Sequence, residues 1–353
     1  MGFSLVTKVA ELADAVGADC SSAPPVISIQ SLVHRYENRT ALNGISFDVR
    51  PAELFGLLGP NGSGKTTLFR ILSTLMVPTA GRALVLGCDA AKDPASVRCQ
   101  IGVVFQAQSV DRKLTAYENL WHQGHLYGLR GPSLKARINQ VLGRVGLADR
   151  ANERVEKFSG GMQRRVELAK GLLHHPGVLL LDEPTTGLDP GARRDLWQYL
   201  QILRDEENVS VLVTTHLMEE AERCDRLAIL NEGNVVALGT PSELKSEIGC
   251  DVILIEGDAL DPASLAQRIQ DRFHVEATVY GNQVRIEREA GHRFVPDLVE
   301  AFPGEIQAIS VSKPALEDVF IHRTGHKFWS ENGESDSPGD NHPEDNHKEK
   351  RRR

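Results

Sequence analysis

Gly59-Pro60-Asn61-Gly62-Ser63-Gly64-Lys65-Thr66 is the stretch that decides the fold. It satisfies the phosphate-loop pattern G-x-x-x-x-G-K-[ST] at every required position. Upstream, Glu53-Leu-Phe-Gly-Leu-Leu58 is a short apolar run of strand type. Downstream, Leu68, Ile71, Leu72 and Leu75 recur at helical spacing until Pro78 ends the pattern. Strand, glycine-rich turn and helix is the context in which this loop has a mechanism. The glycines let successive backbone N–H groups face a phosphate chain, and the helix N-terminus adds partial positive charge. Lys65 is expected to reach the β and γ phosphates, and the Thr66 hydroxyl to hold Mg²⁺. A chance glycine-rich turn would not bring both flanks with it, so the stretch implies a nucleoside triphosphate ligand.

Further runs fit the same sheet. Val178-Leu-Leu-Leu-Asp-Glu183 reads as a strand buried on both faces, as in a parallel sheet, and it ends in two carboxylates. Asp182 is the expected Mg²⁺ ligand, which leaves Glu183 to polarise the water attacking the γ-phosphate. Ile101-Gly-Val-Val-Phe105 is another strand, followed by Gln106, whose uncharged carbonyl can sense Mg²⁺ or the water. Val209–Val213 leads to Thr214-Thr-His216, placing His216 at the rim where open α/β sheets bind ligands. Tyr36 falls between two expected strands, Val26–Leu32 and Gly44–Val49, and its ring could stack on a base, though a half-buried strand-end tyrosine reads the same way. Phe158-Ser-Gly-Gly-Met-Gln-Arg-Arg165 enters a helix, and Ser159-Gly-Gly161 there has the geometry of a second anion-binding helix start. His122 and His125 share a helical face but lack a third ligand nearby, which favours packed or solvated rings.

Length and composition set the bounds. A chain of 353 residues carries two domains' worth of core, and with a net charge of −8 nothing global argues for a nucleic-acid partner, so none is expected. Five scattered cysteines (Cys20, Cys88, Cys99, Cys224, Cys250) read as reduced thiols of a cytosolic protein. No apolar run reaches bilayer length, and Lys8, Glu11 and Asp14 interrupt the segment where a signal peptide needs an apolar core. Residues 1–25 read as a lead and linker, 26–246 as an α/β nucleotide-binding domain, and about 107–171 within it as a helical insert. Residues 250–325 follow as a small α+β domain. From 326 to 353 the chain is polar, ends in Lys350-Arg-Arg-Arg353, and reads as a disordered tail.

Taken in order, these motifs resemble the ATPases of ATP-binding cassette (ABC) transporters, from Val26 to about Ser246. Gly59–Thr66 is similar to the Walker A loop, Val178–Glu183 to Walker B, Gln106 to the Q-loop and Leu188-Asp189 to the D-loop. His216 resembles the switch histidine, Tyr36 the adenine-stacking aromatic, and Ser159, Gly160 and Gly161 the signature motif that separates this family from other P-loop ATPases. Phe158 and Met162 replace the usual Leu and Gln of that signature. The resemblance implies a P-loop α/β cassette with a helical subdomain that binds ATP and Mg²⁺ through Gly59, Pro60, Asn61, Gly62, Ser63, Gly64, Lys65, Thr66 and Thr67. Glu183, His216, Gln106 and Lys65 then act in hydrolysis, and Thr66, Gln106 and Asp182 hold the metal. It also implies a head-to-tail homodimer, in which Ser159, Gly160 and Gly161 of one copy face the γ-phosphate held by the other's loop, with Asp189 among the nucleotide-binding residues.

Residues 251–325 read as strand, helix, hairpin, helix, strand and final helix, the split βαβ order of ferredoxin-like domains. The closing Pro314-Ala-Leu-Glu-Asp-Val-Phe320 resembles the end of drug-resistance exporter ATPases paired with an ABC-2 type permease. The expectation is therefore peripheral attachment to the cytoplasmic face of the cell membrane through that permease. The alternative is an ABC ATPase of DNA repair or translation. Those carry long coiled-coil or zinc inserts, or two cassettes in one chain, and this sequence has a single phosphate loop and no sustained heptads.

Overall fold

The computed structural model describes residues 23–257, 261–325 and 328. Most of the expected N-terminal lead, and the expected tail apart from Phe328, lie outside the described residues. β1 (Ile27–Tyr36) and β2 (Arg39–Val49) form a hairpin, longer than the two strands expected from sequence. Pairing continues through His34↔Leu42 to Tyr36↔Arg39, past the point where the alternation of apolar residues stops. β1 also pairs with β4 (Ala80–Val85), which pairs with the short β5 (Cys88–Asp89), completing an antiparallel sheet in the order β2-β1-β4-β5.

The main sheet runs β10-β9-β3-β8-β7-β6. Its members are β3 (Leu54–Leu58), β6 (Ile101–Val104), β7 (Val178–Asp182), β8 (Ser210–Thr215), β9 (Arg226–Asn231) and β10 (Asn234–Gly239). All pairs are parallel except β9–β10, whose turn at Glu232-Gly233 has φ values of 47° and 78°. Every residue of β3, β7 and β8 is buried, as expected of near-continuous apolar strands covered on both faces. The C-terminal ends of β3, β8, β7 and β6 therefore share one rim, and each carries one of the motifs singled out above.

α1 (Lys65–Leu72) follows β3 directly. Its periodicity suggested a longer helix, but Thr74 at φ 63° turns the chain out and leaves Leu75 65% exposed. The two sheets pack through α1 and a stacked Phe47–Phe55 pair, ring centroids 5.3 Å apart. After α2 (Pro94–Gln100) and β6, the insert is helical as expected: α3 (Ala116–Leu126), α4 (Gly131–Arg144) and α5 (Gly160–Leu172). A capping box on Thr115 and Glu118 starts α3, and Ser159 caps α5 by accepting from the Met162 N–H at 3.3 Å. The rings of His122 and His125 pack on Trp121, at 4.9 and 4.1 Å between centroids. The insert shares one core with α6 (Pro190–Glu207) and the sheet, including the fully buried Trp197.

α7 (Met218–Ala221) follows β8, and α8 (Pro241–Ser246) leads to the last unit. There β11 (Asp251–Gly257), α9 (Pro262–Phe273), β12 (Ala277–Tyr280), β13 (Gln283–Arg288), α10 (Val295–Ala301) and β14 (Ile306–Ser312) build an antiparallel sheet ordered β12-β13-β11-β14. That is the ferredoxin-like arrangement, with its own core around Ile253, Ile269 and Phe294. The closing α11 (Leu316–Thr324) then returns to the cassette. Leu316, Val319 and Phe320 join a cluster with Leu58, Ala221 and Ile229, and Phe328 packs edge-on against Phe320 at 4.9 Å.

Candidate nucleotide and hydrolysis site

The phosphate loop joins β3 to α1 under close steric limits. A Cβ on Gly59 would overlap Leu230 O and Ser63 Oγ, and Gly64, at φ 110°, would place one 2.6 Å from Ala41 O. Only glycine fits either place. The Lys65 ammonium folds over the loop and donates to Gly59 O at 2.6 Å and Pro60 O at 3.0 Å. Burial holds its pKa below the ordinary lysine value, against the opposing pull of Glu183 and then Asp182.

Above the loop lies a cleft of about 400 Å³. It is lined by Asn61, Gly62, Gly64, Lys65, Thr66 and Thr67 from the loop and helix, by Tyr36, Arg39 and Ala41 from the β1–β2 hairpin, and by Gln106, Glu183, Thr186 and His216 from the rim. The exposed Tyr36 directs its hydroxyl to within 3.4 Å of Thr67 Oγ1, and its ring meets that of His34 edge-on with centroids 4.8 Å apart.

Asp182 ends β7 in a buried position, its Oδ1 accepting from the Thr214 hydroxyl at 2.6 Å. Burial pushes its carboxyl above the usual aspartate range, the Thr214 bond counters this, and Glu183 adds to the rise. Glu183 adopts φ 41°, a left-handed conformation that a non-glycine residue keeps only under constraint. The constraint is visible: its N–H donates to Thr214 Oγ1 at 3.0 Å, and its carboxylate faces three groups. Gln106 Nε2 lies at 3.3 Å, Thr186 Oγ1 at 3.4 Å and His216 Nδ1 at 3.0 Å. The turn thus aims the carboxylate over the cleft, beside Lys65.

These residues fit a triphosphate and its metal. Ser63 Oγ is buried with no hydrogen-bond partner among the described residues, in a loop too tight for a Cβ at Gly59 or Gly64. Among the described residues no three His, Cys, Asp or Glu side chains converge to hold a metal. A cation here would draw on Asp182, the Thr66 hydroxyl, the Gln106 carbonyl and phosphate oxygens, a set suited to Mg²⁺.

Ser159, Gly160 and Gly161 do not line this cleft. They open α5, where Gln163 Nε2 holds Phe158 O at 3.0 Å, Phe158 is buried, and Met162 Sδ lies 3.2 Å from Arg150 Nη1. Asp189 is also outside it, capping α6 by accepting from the Gly191 and Ala192 N–H groups. Arg164 of α5 donates to the carbonyls of Phe105, Pro184 and Asp182, and so ties α5 to the backbone beside Gln106 and Glu183. Sequence reasoning missed Arg39, whose guanidinium bonds Gly62 O, as well as Thr186 and Thr214. Thr214 left one trace, a hydroxyl residue at the end of an apolar strand run.

Comparison with known proteins shows the family. Residues 42–186 match the ABC transporter family, and residues 239–324 match the C-terminal domain of DrrA1-3-like ATP-binding proteins. The linearmycin resistance ATP-binding protein LnrL of Bacillus subtilis is 37% identical over 85% of this chain and 98% of its own length. The chain belongs to the ATP-binding proteins of ABC transporters. As a member, it is an ABC transporter ATPase. The Nod factor export ATP-binding protein I of Burkholderia thailandensis is 39% identical over 86% of this chain and 98% of its own. A dimeric ATP-binding cassette solved in a post-hydrolysis state with ADP and Pi superposes with a TM-score of 0.55 at 27% identity, covering 61% of this chain and 98% of that one. No helix among the described residues is long and apolar enough to cross a membrane.

Proposed function

We propose that this ATPase powers export through a separate ABC-2 type permease at the cytoplasmic face of the membrane, working as a head-to-tail homodimer. The observation that carries the reading is coverage of nearly the full length of relatives named for antibiotic resistance and for export, including the ferredoxin-like unit and α11. One of those relatives is named for linearmycin resistance and the other for Nod factor export, so the cargo is left to the permease.

In the proposed mechanism Lys65 and the loop N–H groups hold the phosphates, and Tyr36 stacks on the base, with Arg39 beside it. Mg²⁺ held by Thr66, Gln106 and Asp182 would neutralise charge on the phosphates. Glu183 takes the proton of the attacking water, and His216, 3.0 Å away, orients its carboxylate. Ser159, Gly160 and Gly161 lie off the cleft because they serve the ATP of the second copy, with Asp189 beside them. Closure on ATP and reopening after hydrolysis would then move the permease. A groove of about 280 Å³ lined by Leu75, Phe105, Gln123 and Tyr127 suits it as a docking seat, because Phe105 adjoins Gln106.

The test is capture of the Glu183→Gln chain with ATP from detergent-solubilised native membranes. A polytopic membrane protein is the expected partner. Recovery of only soluble proteins, nucleic acid or ribosomes would overturn the export reading and leave the ATPase chemistry standing.

A further inference from the structure

Glu220 is a charged side chain, 2% exposed, on the four-residue helix α7, and the hydrolysis scheme gives it no part. A carboxylate is costly to bury without partners. Here both oxygens accept from buried hydroxyls. Oε1 accepts from Thr185 Oγ1, and Oε2 from Thr215 Oγ1 at 2.7 Å, while Arg193 Nε lies 3.8 Å from Oε1. Thr185 and Thr215 are themselves 2% and 1% exposed, so water does not compete for these bonds.

The two hydroxyls come from different segments, Thr185 from the turn after β7 and Thr215 from the end of β8. Thr185 lies two residues after Glu183 and directly before Thr186, which donates to the Glu183 carboxylate. Thr215 directly precedes His216, and its Oγ1 also accepts from the Leu217 N–H at 3.0 Å, closing the turn that carries the histidine. One carboxylate therefore clasps the His216 turn and pins it to the segment that shapes Glu183.

We propose that Glu220 is a positioning residue for ATP hydrolysis, bridging Thr185 and Thr215 so that His216 and Glu183 hold their 3.0 Å approach. This rests on the reading of Glu183 and His216 as the hydrolytic pair. Glu220 touches neither the cleft nor the phosphate loop, so its loss acts on turnover and spares nucleotide binding.

Four full-length variants test this by kcat and KM for MgATP, ATP affinity and thermal melting. Thr185→Val removes the bond from the turn after β7 to Glu220 with little change in volume and keeps the Thr215 clasp. Glu220→Ala removes both bonds. Glu220→Gln retains a bridge, because the amide oxygen accepts from one hydroxyl and its NH₂ donates to the other. Glu183→Gln reports on the underlying site. A misplaced catalytic group is expected to lower kcat at least about tenfold in Thr185→Val and Glu220→Ala, with KM and ATP affinity within about twofold and most of kcat restored in Glu220→Gln. Unchanged kcat in a folded Thr185→Val, beside an inactive Glu183→Gln, would overturn the positioning role. So would a Glu220→Gln as impaired as Glu220→Ala, with melting temperature and ATP affinity falling together, since that marks a structural carboxylate. If Glu183→Gln kept its rate, the hydrolytic reading would fail first and take the proposal with it.

Discussion

Thr214→Val removes one buried oxygen and changes almost nothing else in shape. That oxygen donates to Asp182 Oδ1 at 2.6 Å and accepts the Glu183 N–H at 3.0 Å. Loss of a hydrogen bond to a charged group costs roughly 1.5–3 kcal/mol, and an orphaned N–H about 1 kcal/mol or more. Thr214 is fully buried and Glu183 partly so, which puts the expected loss of unfolding free energy at about 2–4 kcal/mol. The sign with pH follows from Asp182. Its carboxyl already sits above the aspartate range through burial, and the Thr214 bond is the largest influence holding it down. Removing the bond raises it further. A raised acid is destabilising above its unfolded value of about 3.9, so the deficit is greatest near neutrality and shrinks as pH falls toward that value. If Asp182 serves the metal as a carboxylate, the acid limb of the pH–rate profile also moves to higher pH. Urea unfolding at pH 5 and pH 7.5, with Thr214→Ser as the hydroxyl-retaining control, measures the first effect, and ATPase assays across pH measure the second. A Thr214→Val chain within about 0.5 kcal/mol of its parent at pH 7.5, with an unmoved acid limb, would refute the reasoning.

Three further outcomes follow from the same geometry. Gly64→Ala should destabilise by about 2–4 kcal/mol, combining a left-handed φ with a backbone clash at Ala41 O, whereas Gly62→Ala meets only the movable Arg39 guanidinium and should cost about 1 kcal/mol; denaturant midpoints compare the two. Tyr36→Ala should weaken ATP binding by about 1–3 kcal/mol through lost stacking, read by titration calorimetry, and Tyr36→Trp should preserve it. His174 stacks on Tyr127 with ring centroids 3.8 Å apart, and burial pushes its pKa down to about 4. Its neutral form is the folded one, so its contribution is whole above about pH 6.5 and is lost as pH falls toward 4, by up to about 3 kcal/mol; unfolding curves of His174→Gln should lack that slope.

Much of the site was legible because its signals are local. Gly59–Thr66 is contiguous, and Asp182, Glu183, Gln106 and His216 each follow an apolar strand run that ends on the same rim. Thr214 was not legible, because it meets Asp182 through the pairing of β7 with β8, 32 residues apart in sequence. Glu220 was hidden likewise, since it gains its meaning from Thr185, 35 residues away. A final helix was expected from sequence, but nothing in the sequence showed that α11 packs on Leu58 and Ala221 of the cassette. Leu75 misled for the opposite reason: its spacing was helical, and the backbone had already turned at Thr74.

The central claim is that Glu183 takes the proton from the attacking water while the rest of the cleft binds ATP. The most direct test is the steady-state rate of ATP hydrolysis by Glu183→Gln under saturating MgATP, with bound nucleotide and dimer mass measured on the same sample. The account predicts a rate at least about 100-fold below the unaltered chain, with ATP retained in a closed dimer. Hydrolysis at the unaltered rate would contradict it.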